Sequence, residues 1–290
     1  MGLFPYFNFA TLKYVKTLIM IFNGKELAKE MIEDLKIQRS KFNHKIRLNI
    51  ISLKNDSDMV SFIKSKQNIA QELNIECRVY QIEESIKTKD LRKKISTISR
   101  TPYSKGMVIQ LPLPESINTQ TVLDGILETQ DIDCLSSKTL GKFYTGKSII
   151  LPPVVSALKL VSEKNNISFN DKKIVIIGSG TLTGKPIATW FLTQNIPFEL
   201  VNETTTNILE IIKSADILIT GVGKPRLIKE LKKDCIVFDF GCSRLDNSLT
   251  GDCEQNCSNN CSFFTPVPGG LGPVVVACLY QNLFKLLNER

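Results

Sequence analysis

Apolar residues recur along this chain in two alternating rhythms. Over residues 24–42 they fall at helical spacing, with Leu27, Met31 and Leu35 facing inward and Glu and Lys outward. Residues 46–53 alternate as a strand, and 59–73 return to helical spacing with Phe62, Ile69 and Leu73 on one side. A strand over 77–82, a helix over 90–98, a strand over 106–110 and a helix over 119–127 continue the series. Residues 130–146 are polar and irregular and read as a surface or active-site loop, and Pro152-Pro153 opens a linking helix through 163. The alternation then resumes: strand 173–177, helix 184–194, and strands 198–201, 216–220 and 236–240. Asp246-Asn247 reads as a turn, 265–273 as a rigid proline–glycine loop, and 274–287 as a closing helix that is apolar on most faces and so buried. Short strands separated by helices need crossover connections, which predicts parallel sheets and an α/β fold.

Composition narrows this picture without redirecting it. The 290 residues are 42% hydrophobic and 23% charged, ordinary for a globular protein. A net charge of +8 suits anionic partners, but Lys and Arg are scattered. No basic stripe is interleaved with aromatics, so we expect no nucleic-acid partner; acidic small molecules account for the balance as well. Eight cysteines do not make a disulfide scaffold here: Cys235 and Cys278 sit in apolar runs, where reduced core thiols belong. Cys253, Cys257 and Cys261 are four apart, with the single histidine, His44, far away, so they read as reduced thiols on a polar loop or helix and no metal site is expected. No apolar run approaches the ~18 residues of a membrane helix. The first 22 residues are aromatic and basic with no acid before Glu26. They leave open an organelle presequence, hence a mitochondrial location, or a working start at Met20 and a cytoplasmic one.

One stretch organises the chain: KKIVIIGSGTLTGKP, residues 172–186. A buried strand that ends in glycines and turns into a helix builds an anion site, because bare backbone approaches closely and helix N–H groups point at a phosphate. The third glycine, Gly184, comes one residue later than the dinucleotide fingerprint asks. A triphosphate loop would need glycine at Ser179 and a hydroxyl at Pro186, which excludes it. The stretch therefore reads as the pyrophosphate turn of a Rossmann-like domain.

Four segments, in order, resemble the methylenetetrahydrofolate dehydrogenase/cyclohydrolase family: GMVIQLPLP (106–114), DID (131–133), IVIIGSGTLTGKP (174–186) with ADILITGVGKP (215–225), and TPVPGGLGP (265–273). The resemblance implies two α/β domains flanking a cleft, and a homodimer. It implies a folate-binding catalytic domain over 20–150, completed by the last helix at 274–290, and a dinucleotide domain over 151–273. It implies oxidation of methylenetetrahydrofolate with NAD or NADP, then hydrolysis of the methenyl product to 10-formyltetrahydrofolate. Carried over residue by residue, the catalytic lysine is Lys66, not Lys64. Gln110 orients it and the folate, and Asp133 accepts hydrogen bonds from the pterin. Phe62, Leu111, Pro112, Pro268, Gly269 and Gly270 complete the folate side. Gly178, Ser179, Gly180, Thr181 and Gly184 surround the pyrophosphate and ribose, with Val222 and Gly223 at the nicotinamide. Glu203 follows the second strand of this unit, where an acid binds a ribose 2′-hydroxyl and repels a 2′-phosphate, so the sequence leans to NAD.

Several positions depart from the family pattern. Phe62 stands in place of a tyrosine, Cys134 in place of a glycine, LPPV (151–154) in place of P-C-T-P, and Val275 in place of a threonine. A lost hydrogen bond to a charged group is worth roughly 1.5–3 kcal/mol. These changes bear most on the hydrolytic step, and leave three alternatives open: a dehydrogenase only, a folate- and dinucleotide-binding homologue with a weakened site, or a dehydrogenase of another small acid.

Overall fold

The computed structural model describes residues 19–54, 57–246 and 248–289. In chain order the elements are β1 (Met20–Ile21), α1 (Gly24–Arg39), β2 (Arg47–Ser52), α2 (Ser57–Glu72), β3 (Glu76–Gln81), α3 (Thr88–Ser99), β4 (Ser104–Ile109), α4 (Thr119–Leu123), α5 (Ser137–Tyr144) and α6 (Pro153–Lys164). They continue as β5 (Ile174–Ile177), α7 (Gly184–Thr193), β6 (Glu199–Val201), α8 (Ile208–Ser214), β7 (Ile217–Thr220), β8 (Cys235–Asp239), β9 (Ser243–Leu245), β10 (Ser248–Thr250), β11 (Cys261–Phe264) and α9 (Leu271–Asn288).

Two parallel sheets carry most of these elements, and β9 and β10 pair apart from them as an antiparallel ribbon. The first is ordered β3-β2-β4 and the second β1-β11-β8-β7-β5-β6. In each, the chain leaves one strand for a neighbour on one side and returns to pair on the other: β2 lies between β3 and β4, and β5 between β6 and β7. Such a reversal opens a crevice at the carboxyl ends of the strands, because the flanking helices diverge there. β2 and β5 are buried at every position, as strands covered on both faces by helices must be.

The closing helix α9 joins the two units. It packs on α1, α2 and α6, and Tyr280 and Phe284 are fully buried in the shared core. Asn282, also fully buried, donates from Nδ2 to the Ile132 carbonyl at 2.9 Å and the Leu151 carbonyl at 2.8 Å. The start of α1 docks on the proline–glycine loop: a Cβ on Gly24 would lie 1.7 Å from the Gly270 carbonyl oxygen.

Four expectations are corrected. The segment 130–146 is not irregular throughout. Ser136 caps α5, and Thr139 and Phe143 form a one-turn buried stripe too short to read as periodicity. The helix begun at 119 stops at Leu123, shortly before Gly125. On α2 the inward side is Met59, Ile63, Ile69 and Leu73, whereas Phe62 is 37% exposed. Cys253, Cys257 and Cys261 are buried with Cys235 in one apolar core rather than set on a polar loop, the Asn and Ser between them facing outward. Neither α8 nor β11 was anticipated; both are short, with no clean period. Asp246 occupies the expected turn, and Asn247 lies outside the described residues.

Replacing Asn282 with Ala leaves two buried carbonyls without a donor. Urea unfolding should show a loss of about 2–4 kcal/mol; a loss below about 1 kcal/mol would remove Asn282 as the tie between the units.

Candidate active site

Lys66 and Gln110 come from different elements and meet directly. Helix α2 carries Lys66, Gln110 follows β4, and the Lys66 ammonium donates to Gln110 Oε1 at 3.1 Å. Gln110 is itself fixed by its backbone N–H, which donates to the Ile51 carbonyl at the end of β2. Asp133, after β4 and the turn that follows α4, adds its charge to the same site.

Electrostatics tune both ionisable groups. Desolvation holds the Lys66 amine below its ordinary value, and the negative charge of Asp133 only partly restores it. Burial pushes the Asp133 carboxyl up to about 6, with the Lys66 ammonium opposing and Asp131 reinforcing the shift. Burial therefore opposes the charged form of both groups, while each charge favours the other. Lys64 lies exposed on the outer side of α2 beside Gln67 and Gln71, as expected for the lysine off the catalytic face. Phe62 precedes Lys66 by one helical turn and presents a half-exposed ring on the neighbouring position. Leu111 and Pro112 follow Gln110, and the bond between Leu111 and Pro112 is cis. Cys134, after Asp133, has φ of +58°, a left-handed conformation that glycine adopts freely and a side chain resists.

A second cluster gathers at the carboxyl ends of β5 and β7. Gly178 has φ of +88°, and a Cβ on Gly184 would lie 1.8 Å from the Gly178 carbonyl oxygen. Both glycines are thus demanded by the turn. Around Gly180 there is open space, and Ser179, Gly180 and Thr181 are exposed. Helix α7 begins with no side-chain cap, and the Lys185 N–H of its first turn donates to the Gly180 carbonyl, folding the turn onto the helix start. A dinucleotide pyrophosphate fits this cradle. Val222 is the neighbour a Cβ on Gly178 would meet, at 3.1 Å, so the loop after β7 lies against the glycine turn, and Gly223 follows with φ of +72°. Glu203 stands exposed just beyond β6, with Lys224 3.8 Å from its carboxylate. Of the third group, Pro268 is exposed, Gly269 has φ of +99° and Gly270 is buried against the start of α1.

Three residues escaped the sequence reading. Tyr280 donates its hydroxyl to the Lys66 carbonyl at 2.5 Å, pinning the helix turn that carries the amine; an aromatic in an apolar helix gives no signal of this. Asp239 and Asp252 are buried beneath the loop after β7.

Known proteins resemble this chain along nearly its whole length. The bifunctional protein FolD of Acetivibrio thermocellus is 34% identical over 272 residues, covering 91% of this chain and 95% of that protein. The crystal structure of the bifunctional FolD methylenetetrahydrofolate dehydrogenase/cyclohydrolase of Campylobacter jejuni superposes with a TM-score of 0.85 at 27% identity, covering 92% of this chain and 98% of that one. The fold is also that of the Trypanosoma brucei methylenetetrahydrofolate dehydrogenase-cyclohydrolase complexed with NADP and an inhibitor, with a TM-score of 0.86, 23% identity and coverage of 93% and 97%. A family model described as the tetrahydrofolate dehydrogenase/cyclohydrolase catalytic domain matches residues 22–133, and its NAD(P)-binding counterpart matches 153–290. With both halves matched in order, the chain belongs to the tetrahydrofolate dehydrogenase/cyclohydrolase family.

Proposed function

We infer that this protein oxidises 5,10-methylenetetrahydrofolate to the 5,10-methenyl form with a nicotinamide dinucleotide, and hydrolyses the methenyl form to 10-formyltetrahydrofolate, in one-carbon metabolism. The observation that carries the reading is the Lys66–Gln110 hydrogen bond at 3.1 Å beside Asp133, in a chain of this family.

The chemistry divides between the two clusters. The bound dinucleotide supplies the hydride acceptor. The glycine turn holds its pyrophosphate, and the loop at Val222-Gly223 borders the ring, so the chain contributes alignment to this step. In hydrolysis, water adds to the methenyl carbon. Lys66, whose proton affinity desolvation lowers, accepts the water proton while Gln110 holds the amine in place. The bond from that carbon to N5 then breaks: N5 takes the proton held by the lysine, and the new hydroxyl becomes the formyl carbonyl as it releases its own proton to solvent. Asp133, ionised above about pH 6, accepts hydrogen bonds from the pterin N–H edge. Phe62, with Leu111, Pro112 and the Pro268–Gly270 loop, bounds the folate; its ring stacks but has no hydroxyl to give to the lysine network.

Glu203 directs the cofactor choice toward NAD. Its carboxylate stands beyond the strand adjacent to β5, where the adenosine ribose is held, and a 2′-phosphate there would meet a like charge. Lys224 offsets this only slightly, since both side chains are well exposed and water screens the pair. We also assign a homodimer, which the family resemblance implies, and a cytoplasmic location. Among the described residues no helix is long and apolar enough to cross a membrane.

Three outcomes test this. With methylenetetrahydrofolate, kcat/KM for NAD should exceed that for NADP by about tenfold or more, and Glu203→Arg should narrow or reverse the ratio; a wild-type preference for NADP would overturn the role of Glu203. Lys66→Met should lower methenyl hydrolysis by at least about 100-fold while leaving the dinucleotide KM within about twofold; equal losses would mean the lysine is misassigned. The KM for methenyltetrahydrofolate should rise as pH falls through about 6, because the raised Asp133 carboxyl takes up its proton there and ceases to accept. Asp133→Asn should flatten that limb.

A further inference from the structure

The loop after β7 has no secondary structure of its own, yet it forms one wall of the dinucleotide crevice. What fixes it is a single carboxylate. Asp252 is fully buried. Its Oδ2 accepts the Thr220 hydroxyl at 2.7 Å and the Val222 N–H at 2.7 Å, and its Oδ1 accepts the Lys224 N–H at 2.9 Å. The Asp252 N–H donates to Asp239 Oδ1 at 3.2 Å, and Asp239 also accepts the N–H groups of Gly241 and Cys253. A Cβ on Gly241 would lie 2.3 Å from the Asp252 carboxyl, so bare backbone is needed where the carboxylate sits.

The loop so held touches the pyrophosphate turn at two points. A Cβ on Gly221 would lie 2.4 Å from the Thr183 side chain, and Val222 is the neighbour of Gly178. Thr183 directly precedes α7, and Gly178 directly follows β5.

We propose that Asp252 is a positioning residue for dinucleotide binding: it sets the 221–224 loop against the glycine turn, and so sets the width of the crevice. This rests on the dinucleotide reading above. Only a carboxylate serves. Three donors converge on it, and an asparagine would offer one oxygen and turn its own NH2 toward a backbone N–H. Removing the acceptor of either backbone N–H releases one of the ties that hold the loop.

The test uses the full-length chain with Asp252→Asn. Titration of the reduced dinucleotide by its own fluorescence, without folate, should give a Kd raised about tenfold or more. The fall in dehydrogenase kcat/KM for the dinucleotide should exceed the fall in dinucleotide-free methenyl hydrolysis by a similar factor. If Asp252→Asn no longer melts cooperatively, Thr220→Val, which removes one of the three donors, must raise the dinucleotide Kd by about threefold. A folded Asp252→Asn with wild-type dinucleotide Kd, or with both activities reduced in proportion, overturns the proposal alone. A wild-type chain that binds neither dinucleotide overturns the parent reading and this one with it.

Discussion

A lysine amine that has lost most of its water is the constraint around which the folate side is built. Removing an ammonium from solvent costs free energy, and the cost shows as a lowered proton affinity at Lys66. The carboxylate of Asp133 restores that affinity only in part, and it too is desolvated and rises to about 6. Each group favours the other's charged form, but less than burial disfavours it. Such an arrangement persists only if the surroundings hold it. Gln110 binds the amine, Tyr280 binds the carbonyl of the same residue, and Asn282 ties α9 to the carbonyl next to Asp133.

The last helix packs across both parts of the chain. α9 follows the second sheet in sequence, and its buried face lies on α1, α6 and α2. It begins where the 265–270 loop meets the start of α1, so one helix positions the lysine at its middle and closes the folate wall at its beginning. The two reversals of strand order then place the working residues. Gln110 follows β4, beside the reversal around β2; the glycine turn and the Val222 loop follow β5 and β7, beside the reversal around β5. Parallel strands with diverging helices leave room only there.

Much of this was legible in the residues. The family resemblance carried by QLPLP, DID and the 57–74 helix points to Lys66, Gln110 and Asp133. Gly178 and Gly184 could be read as obligatory because backbone approach has few other solutions. The buried carboxylates were not legible: nothing in local composition distinguishes Asp252 from a surface aspartate, and its meaning exists only through Thr220, Val222 and Lys224, which lie about thirty residues away. The same holds for Tyr280, whose hydroxyl partner lies 214 residues earlier. Period-based reading also missed α5 and β11, which are too short to show a rhythm.

The late third glycine shows why contact outranks motif. The fingerprint expects glycine three residues after Gly180, and that position holds Thr183. Here the helix starts one residue later, and the required bare position moves with it. Gly184 packs on the Gly178 carbonyl so closely that a methyl group would sit at 1.8 Å. Thr183 is then free to carry a side chain, and it uses that side chain to press on Gly221 of the neighbouring loop. What must be satisfied is the close approach of strand end to helix start, and the spacing follows from the length of turn between them. A scan for the fingerprint alone would reject this chain, whereas the packing requirement accepts it, and it also explains why a glycine is needed at 221 as well.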